Sequence, residues 1–425
     1  MGQAAASVPY FCNLYDCIEQ MDLAAWESIC GRGEHDFTMD TRYLRCVQES
    51  IASQARFWYI IIRDSSSHPV ACACLCEFTV DLLIIAGERL KRALSYFRRI
   101  FPHSMSFTVL MCGLPVSIGQ SSVRFARGAD HSAAVEQLES LMQELAGKAS
   151  IRFVLFKEFD AEGCRQLAGL LKRGYVQAES LPMNYFAPTF KDFEHYLSSL
   201  KAHYRQDIRR SMNKLQRGGF TISRVPGRKA LELYTDEVHK LYRAVVDRAA
   251  NKLEILPREF FLALAGEFPE SISFTYISRG GVIAAFNWAM QTPQKYQLLF
   301  CGLNYELNTH AELYFNLMYA ELDNALRASV ATVEIGQTAD LFKARLGCFQ
   351  RPLWFYAKTT RVARVFRLCS RFLFPRRGNV TLPNIYKYGS KPVVEPCISS
   401  AFFPAGLRRP PGPRRCLGDG IWPRQ

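Results

Sequence analysis

Between Lys295 and Lys358 the chain alternates strand-like and helix-like periods, and this alternation constrains the fold more than any other feature. KYQLLFCGL (Lys295–Leu303) is a continuous apolar run of strand length, followed by a turn over Asn304–Asn308. Thr309-His310-Ala311-Glu312 has the form of a capping box: the Thr309 hydroxyl takes the Glu312 amide, and the Glu312 carboxylate reaches back. Leu313, Leu317, Ala320, Leu322 and Ala325 then recur at helical spacing. ATVEI (Ala331–Ile335) predicts a second strand, and Ala339–Leu346 a short helix stopped by Gly347. RPLWFYAK (Arg351–Lys358) predicts a third, strongly β-prone strand.

The alternation extends upstream. Asn13–Cys30 and Asp40–Ser53 read as helices, and Phe57–Arg63 and Val70–Phe78 as strands joined by a DSSSHP turn. Gly87–Phe101 reads as an amphipathic helix, Met105–Pro115 as a strand, Ala133–Leu145 as a helix, Ile151–Phe159 as a strand and Ala161–Lys172 as a helix. Phe190–Gly218 reads as one long polar helix that bridges two similar units. Helices over Lys229–Ala249 and Pro257–Glu267 follow, then strands over Ser271–Ser278 and Val282–Gln291. The pattern predicts an α/β fold of sheets layered with helices. The expected domains are 1–190, then 191–360 including the bridging helix 191–218, then a segment over 361–425.

A chain of 425 residues is long enough for two or three domains with sizeable cores. No run reaches the ~18 apolar residues of a membrane span, and the start lacks a signal peptide's basic end and long apolar core. A cytoplasmic location is therefore expected. None of the 14 cysteines forms a Cys-x-x-Cys pair, and no metal-ligand spacing or Ser/His/Asp arrangement stands out, so buried free thiols are expected and no metal. The net charge of +14 is concentrated at the end: 13 Lys and Arg follow residue 360, against only Glu395 and Asp419. Over 361–373, Arg361, Arg364, Arg367 and Arg371 segregate from an apolar side, as in a helix that touches an anionic membrane surface. Past Pro375 the composition predicts disorder, and deletion after Arg377 is expected to leave the core intact.

The words CGLNYE (Cys301–Glu306) and GQTADLFKARLG (Gly336–Gly347) carry a resemblance, which extends through Phe193–Leu215 and Ile255–Phe261. Over roughly 56–358 the chain resembles N-acyltransferases of the GNAT superfamily related to Fem-type, FemAB-like peptidoglycan peptidyltransferases. That resemblance implies two tandem GNAT-like domains and amide formation on an amine, either in a small metabolite or in a cell-envelope precursor. Fem-type relatives take the acyl group from aminoacyl-tRNA; an acyl-CoA donor is the alternative, with no permanently bound cofactor in either case. A non-catalytic binding or scaffolding member is a further reading.

Acyl transfer needs a polarised donor carbonyl, a deprotonated amine and a stabilised leaving group. The resemblance implies a backbone amide near Gly302 for the first. Lys343, with Gln337 and Thr338 on the turn before it, is placed to bind a phosphate or carboxylate of a substrate. Tyr305 can donate a proton to the leaving group, and Glu334 or Asp340 can accept one from the amine. Arg205 and Arg209 on the bridging helix are candidates to grip a phosphate-bearing acceptor or the acceptor end of tRNA. The turn Asn304–Glu312 has no glycine and carries Glu306 and Glu312, so a coenzyme A pyrophosphate is not expected there.

Overall fold

The computed structural model describes residues 10–31, 37–81, 106–116, 118–249, 255–359 and 383–387. The segments expected to be amphipathic at 87–101 and 361–373, and the Pro- and Arg-rich stretch at 404–415, lie outside the described residues. The chain runs β1 (Phe11–Tyr15), α1 (Leu23–Cys30), α2 (Thr41–Ile51), β2 (Ala55–Arg63), β3 (Pro69–Asp81), β4 (Ser106–Cys112) and β5 (Val123–Phe125). It continues through α3 (His131–Lys148), β6 (Phe153–Phe159), α4 (Ala161–Gln166), α5 (Gly169–Lys172), β7 (Val176–Glu179), β8 (Met183–Phe186), α6 (Phe193–Ser199) and α7 (Ala202–Arg217). Next come β9 (Thr221–Pro226), α8 (Gly227–Leu233), α9 (Asp236–Arg248), α10 (Arg258–Glu267), β10 (Ile272–Arg279), β11 (Val282–Gln291) and β12 (Lys295–Leu303). It closes with α11 (Tyr305–Ala311), α12 (Leu313–Arg327), β13 (Thr332–Gly336), α13 (Asp340–Arg345), β14 (Phe349–Arg351) and β15 (Trp354–Thr359).

Two mixed sheets form. The first has the order β1-β2-β3-β4-β6-β15-β7, with β5 on β3; the second has the order β14-β8-β13-β12-β11-β10-β9. Each holds one parallel pair, β4 with β6 and β12 with β13. The strands do not divide between the sheets at residue 190. Met183–Phe186 already belongs to the second sheet, and Trp354–Thr359 returns to the first, between β6 and β7. Pro352 explains the return. It has no amide for a ladder, so the expected single strand at 351–358 breaks, and its two pieces pair in different sheets.

Strand alternation builds the cores. On β3, Cys72, Cys74 and Cys76 face one apolar cluster, while Ala71, Ala73 and Leu75 face another under α3. The first cluster runs on into Phe260, Phe261, Leu264, Phe274 and Trp288, so both sheets share it. The opposite face of the second sheet is covered by Tyr196, Leu197, Ile208, Met318 and Leu322 from α6, α7 and α12. Ile385 and Tyr386 are buried in that same cluster.

Several expected elements differ. Phe11–Tyr15 is a strand on β2 rather than the start of a helix, and α1 begins where Asp22 accepts the Ala25 amide at 3.0 Å. The helix expected over Lys229–Ala249 is interrupted because Tyr234 leaves it for a cluster with Phe261, Phe274, Phe286 and Trp288. The bridging segment is two helices, since Leu200 leaves helical geometry to pair, fully buried, with Tyr386. Among the described residues no helix is long and apolar enough to cross a membrane.

Candidate active site

The site grows from the way β12 and β13 part. They pair in parallel only from Lys295–Thr332 to Gln297–Glu334. Beyond that point β12 continues to Leu303, with a register shift against β11 that leaves Leu299 as an extra residue between Leu298 and Phe300. β13 instead turns away at Gly336, whose φ of 88° is in the left-handed region. Asn184 on β8 holds this turn: its Nδ2 donates to Gly336 O at 2.9 Å and to Asp340 Oδ1 at 3.1 Å. Asn184 Oδ1 in turn accepts from Gln350 at 3.2 Å. Among the described residues, one edge of β12 is thereby left without a strand partner beyond Gln297, with a bulge in its middle.

Lys343 sits at this opening. It is only 3% exposed, and its Nζ lies 3.5 Å from where a side chain on Gly336 would begin. No ion pair to it forms among the described residues. Burial holds its ammonium down at about 8, against a smaller opposing pull from Cys348, Asp340 and Cys301. Burial also pushes the Cys301 and Cys348 thiols up, to about 11 and about 12, so both stay protonated beside the lysine.

Glu334 points from β13 toward the first sheet and is 1% exposed. Gln120 Nε2 donates to both its oxygens at 3.2 Å, and Lys295 Nζ approaches within 3.5 Å. Gln337 extends the network by donating to Glu158 and to Leu181 O, both at 3.2 Å. Glu158 occupies a left-handed conformation (φ 62°) inside β6 and is 4% exposed; such strain persists only where the surroundings over-determine it. Lys157 lies 3.7 Å from Glu158 and donates to Leu114 O at 2.7 Å. The ends of the two parallel pairs therefore meet in one buried polar seam. Gln120, Lys157, Glu158, Asn184 and Lys295 were not singled out in the sequence. Only Lys157-Glu158 left a trace, as a charged pair inside the apolar run FVLFKEF.

The other candidates have simpler surroundings. A side chain on Gly302 would collide with the Phe286 ring at 2.1 Å and with Leu241, so core packing demands that glycine. Tyr305 is half-buried at the start of α11, with the Arg248 guanidinium 3.8 Å above its ring; burial keeps it a neutral phenol. Thr338 is exposed. Arg205 donates to Leu200 O at the end of α6, and Arg209 pairs with Glu194 on the surface. The capping box is absent. Thr309 lies inside α11 and donates to Tyr305 O, because Asn304 starts that helix earlier by accepting the Leu307 amide at 3.1 Å. Glu312 adopts φ 52° between α11 and α12, and its carboxylate pairs with Lys214 at 2.9 Å.

The fold is similar to that of FemX, with a TM-score of 0.50, 10% identity, and coverage of 84% of this chain and 99% of FemX. A tandem GNAT protein from the clavulanic acid biosynthesis pathway aligns at TM-score 0.48 and 13% identity, over 82% of this chain and 98% of its own. L-PGS from Bacillus licheniformis aligns at 0.45 and 12% identity, over 79% of this chain and 97% of its own. No curated protein matches the chain by sequence. Residues 110–353, more than half the chain and the part that holds the end of β4 together with β6, β12 and β13, match the family described as peptidoglycan biosynthesis/recognition, and the chain belongs to that FemAB-like family.

Proposed function

We propose that this chain forms an amide by transferring an acyl or aminoacyl group to an amine acceptor, at the parted ends of β12 and β13. The observation that carries this reading is Lys343: a buried ammonium without an ion-pair partner among the described residues, beside the stretch of β12 past Gln297 where its pairing with β13 has ended. A buried positive charge is costly unless something negative comes to meet it. In this reading the β12 amides near the Leu299 bulge polarise the donor carbonyl, and Lys343 stabilises the charge that develops on the oxygen or on the leaving group. Its value of about 8 also suits it to hand a proton to a leaving ribose oxygen or thiolate. Asp340, with Oδ1 held by Asn184, offers Oδ2 to the proton released by the attacking amine. Tyr305 is the alternative proton donor, and Glu334 anchors the seam under the acceptor.

Family membership favours an acceptor amine on a peptidoglycan-type or related envelope precursor, and aminoacyl-tRNA is the first donor to assay. Acyl-CoA remains the second donor to assay. The experiment is amide formation by the purified protein, offered aminoacyl-tRNA or acyl-CoA with a panel of amine acceptors and read by mass spectrometry. A product with the wild type and none with Lys343→Met supports the reading. No amide from any donor, by protein that is folded, points to the non-catalytic member instead.

A further inference from the structure

One pair of described thiols is in contact. Cys30 ends α1 and is partly exposed; Cys72, on β3, is fully buried. Their sulfurs are 3.1 Å apart, although the residues lie 42 positions apart in sequence. A disulfide is 2.03–2.05 Å long, so about 1 Å of approach separates this contact from a bond. Helix α1 packs directly on β3, so a small shift of the helix end would be enough to close it.

We propose that Cys30 and Cys72 form a peroxide-sensitive dithiol that closes to a reversible disulfide. The two sulfurs divide the work by exposure. The Cys30 thiolate attacks the peroxide, the O–O bond breaks, and the departing oxygen takes a proton and leaves as water. Cys30 is then a sulfenic acid. The Cys72 sulfur attacks it, the S–O bond breaks, and the released hydroxide carries off the Cys72 proton as a second water. Two thiols are oxidised to one disulfide, and one hydrogen peroxide is reduced to two waters. Burial most of all, and then the neighbouring Cys30 sulfur, disfavour the Cys72 thiolate; Arg124, its pairing partner on β5, favours it to a smaller degree. Closeness of the two sulfurs, not a ready thiolate, therefore has to drive the second step, and the geometry supplies that closeness. The closed form ties α1 to the interior of the first sheet.

The test treats the full chain with hydrogen peroxide and blocks the remaining thiols in denaturant before digestion with trypsin. The expected result is a linked pair of peptides, one ending at Arg32 and the other beginning at Asp64, which dithiothreitol separates. Cys30→Ser loses the link, Cys17→Ser keeps it, and the oxidised protein melts several degrees higher than the reduced one. Cys72→Ala loses the link as well; Cys30→Ser, at a partly exposed helix end, keeps the test decisive if Cys72→Ala does not fold. Absence of the linked pair in oxidised wild type, its persistence in Cys30→Ser, or Cys30 recovered as sulfinic acid with Cys72 still free would overturn the proposal.

Discussion

In the proposed reaction, Lys343 concentrates a conflict between stability and chemistry. Its ionisation is displaced from 10.5 to about 8 by burial, so the unfolded chain holds that proton more tightly than the folded one. Below about pH 8 both states are protonated and the fold bears the whole penalty, about 3 kcal/mol. The penalty fades as pH rises from 8 toward 10.5, because the folded state releases its proton first. Lys343→Met is therefore expected to be more stable than wild type at pH 7, by up to about 3 kcal/mol, while turnover falls at least about 100-fold. Denaturant titrations of both proteins from pH 6 to about pH 10.5 measure the difference, which should shrink with rising pH. Taking the difference matters, since the raised buried thiols act in the opposite direction above their ordinary range. A Lys343→Met protein that is less stable at pH 7, or equally active, refutes this account.

Glu334 is a second test at the same scale. Glu334→Gln keeps the shape but removes the charge that meets Gln120 and Lys295, and it should cost about 1–3 kcal/mol of stability. A lost hydrogen-bond acceptor alone would leave the pH–rate profile in place; loss of the seam's charge should shift it along with kcat. Lys343 and Gln337 were singled out in the sequence because both stand in the word GQTADLFKARLG, and Glu334 because strand alternation turns it away from Val333 and Ile335. Gln120 and Glu158 were not, because only tertiary folding brings residues far apart in sequence, such as Gln120 and Glu334, into contact.

At the scale of elements, the turn after β12 shows what local pattern reading can and cannot reach. A Thr-x-x-Glu word suggested a helix start at Thr309, yet Asn304 offers the same kind of side-chain oxygen five residues earlier and begins α11 there. Period placed strands such as Lys295–Leu303 and Val282–Gln291, but it read Phe11–Tyr15 as helix, and the helix breaks at Leu200 and Tyr234 depend on side chains claimed by distant clusters. The correction alters the reason for expecting no pyrophosphate site at this turn. Charge matters less, because Lys214 already meets Glu312. Geometry matters more: Asn304 takes the Leu307 amide, and Asn308 takes the Tyr314 amide at 3.0 Å, so donors a pyrophosphate needs are occupied. Acetyl-CoA should bind no tighter than on the order of 1 mM at this turn. Glu312→Gln should leave that affinity unchanged while costing at most about 1 kcal/mol, as expected for a partly exposed pair. Low-micromolar affinity by calorimetry, lost in Asn304→Ala, would overturn this.

At the scale of the whole molecule, the chain's later residues are structural in a way composition concealed. Past Thr360 the sequence is dominated by charge, proline and glycine, and it reads as unable to join a core. Yet Ile385 is 1% exposed and Tyr386 5%, and Tyr386 stacks on Phe190. Lys201 N donates to Ile385 O and Lys387 N to Ser199 O, so the segment closes the gap where α6 and α7 separate. Gly347 makes room for it: a side chain there would meet the Tyr386 hydroxyl at 2.0 Å, at a backbone φ of 81°. Removing the chain after Arg377 therefore deletes two core side chains and uncovers the α6–α7 junction, a loss of at least about 3 kcal/mol by analogy with large-to-small core changes. A thermal melt of the truncated protein should fall several degrees below the full chain. Tyr386→Ala in the full chain should reproduce most of that fall, which assigns it to this segment and not to the residues beyond. Tyr386→Phe should do the reverse, holding stability or raising it by up to about 1 kcal/mol, because the hydroxyl is buried without a hydrogen-bond partner among the described residues. Equal melting of the truncated and full chains would mean that Ile385 and Tyr386 contribute nothing to the core they occupy.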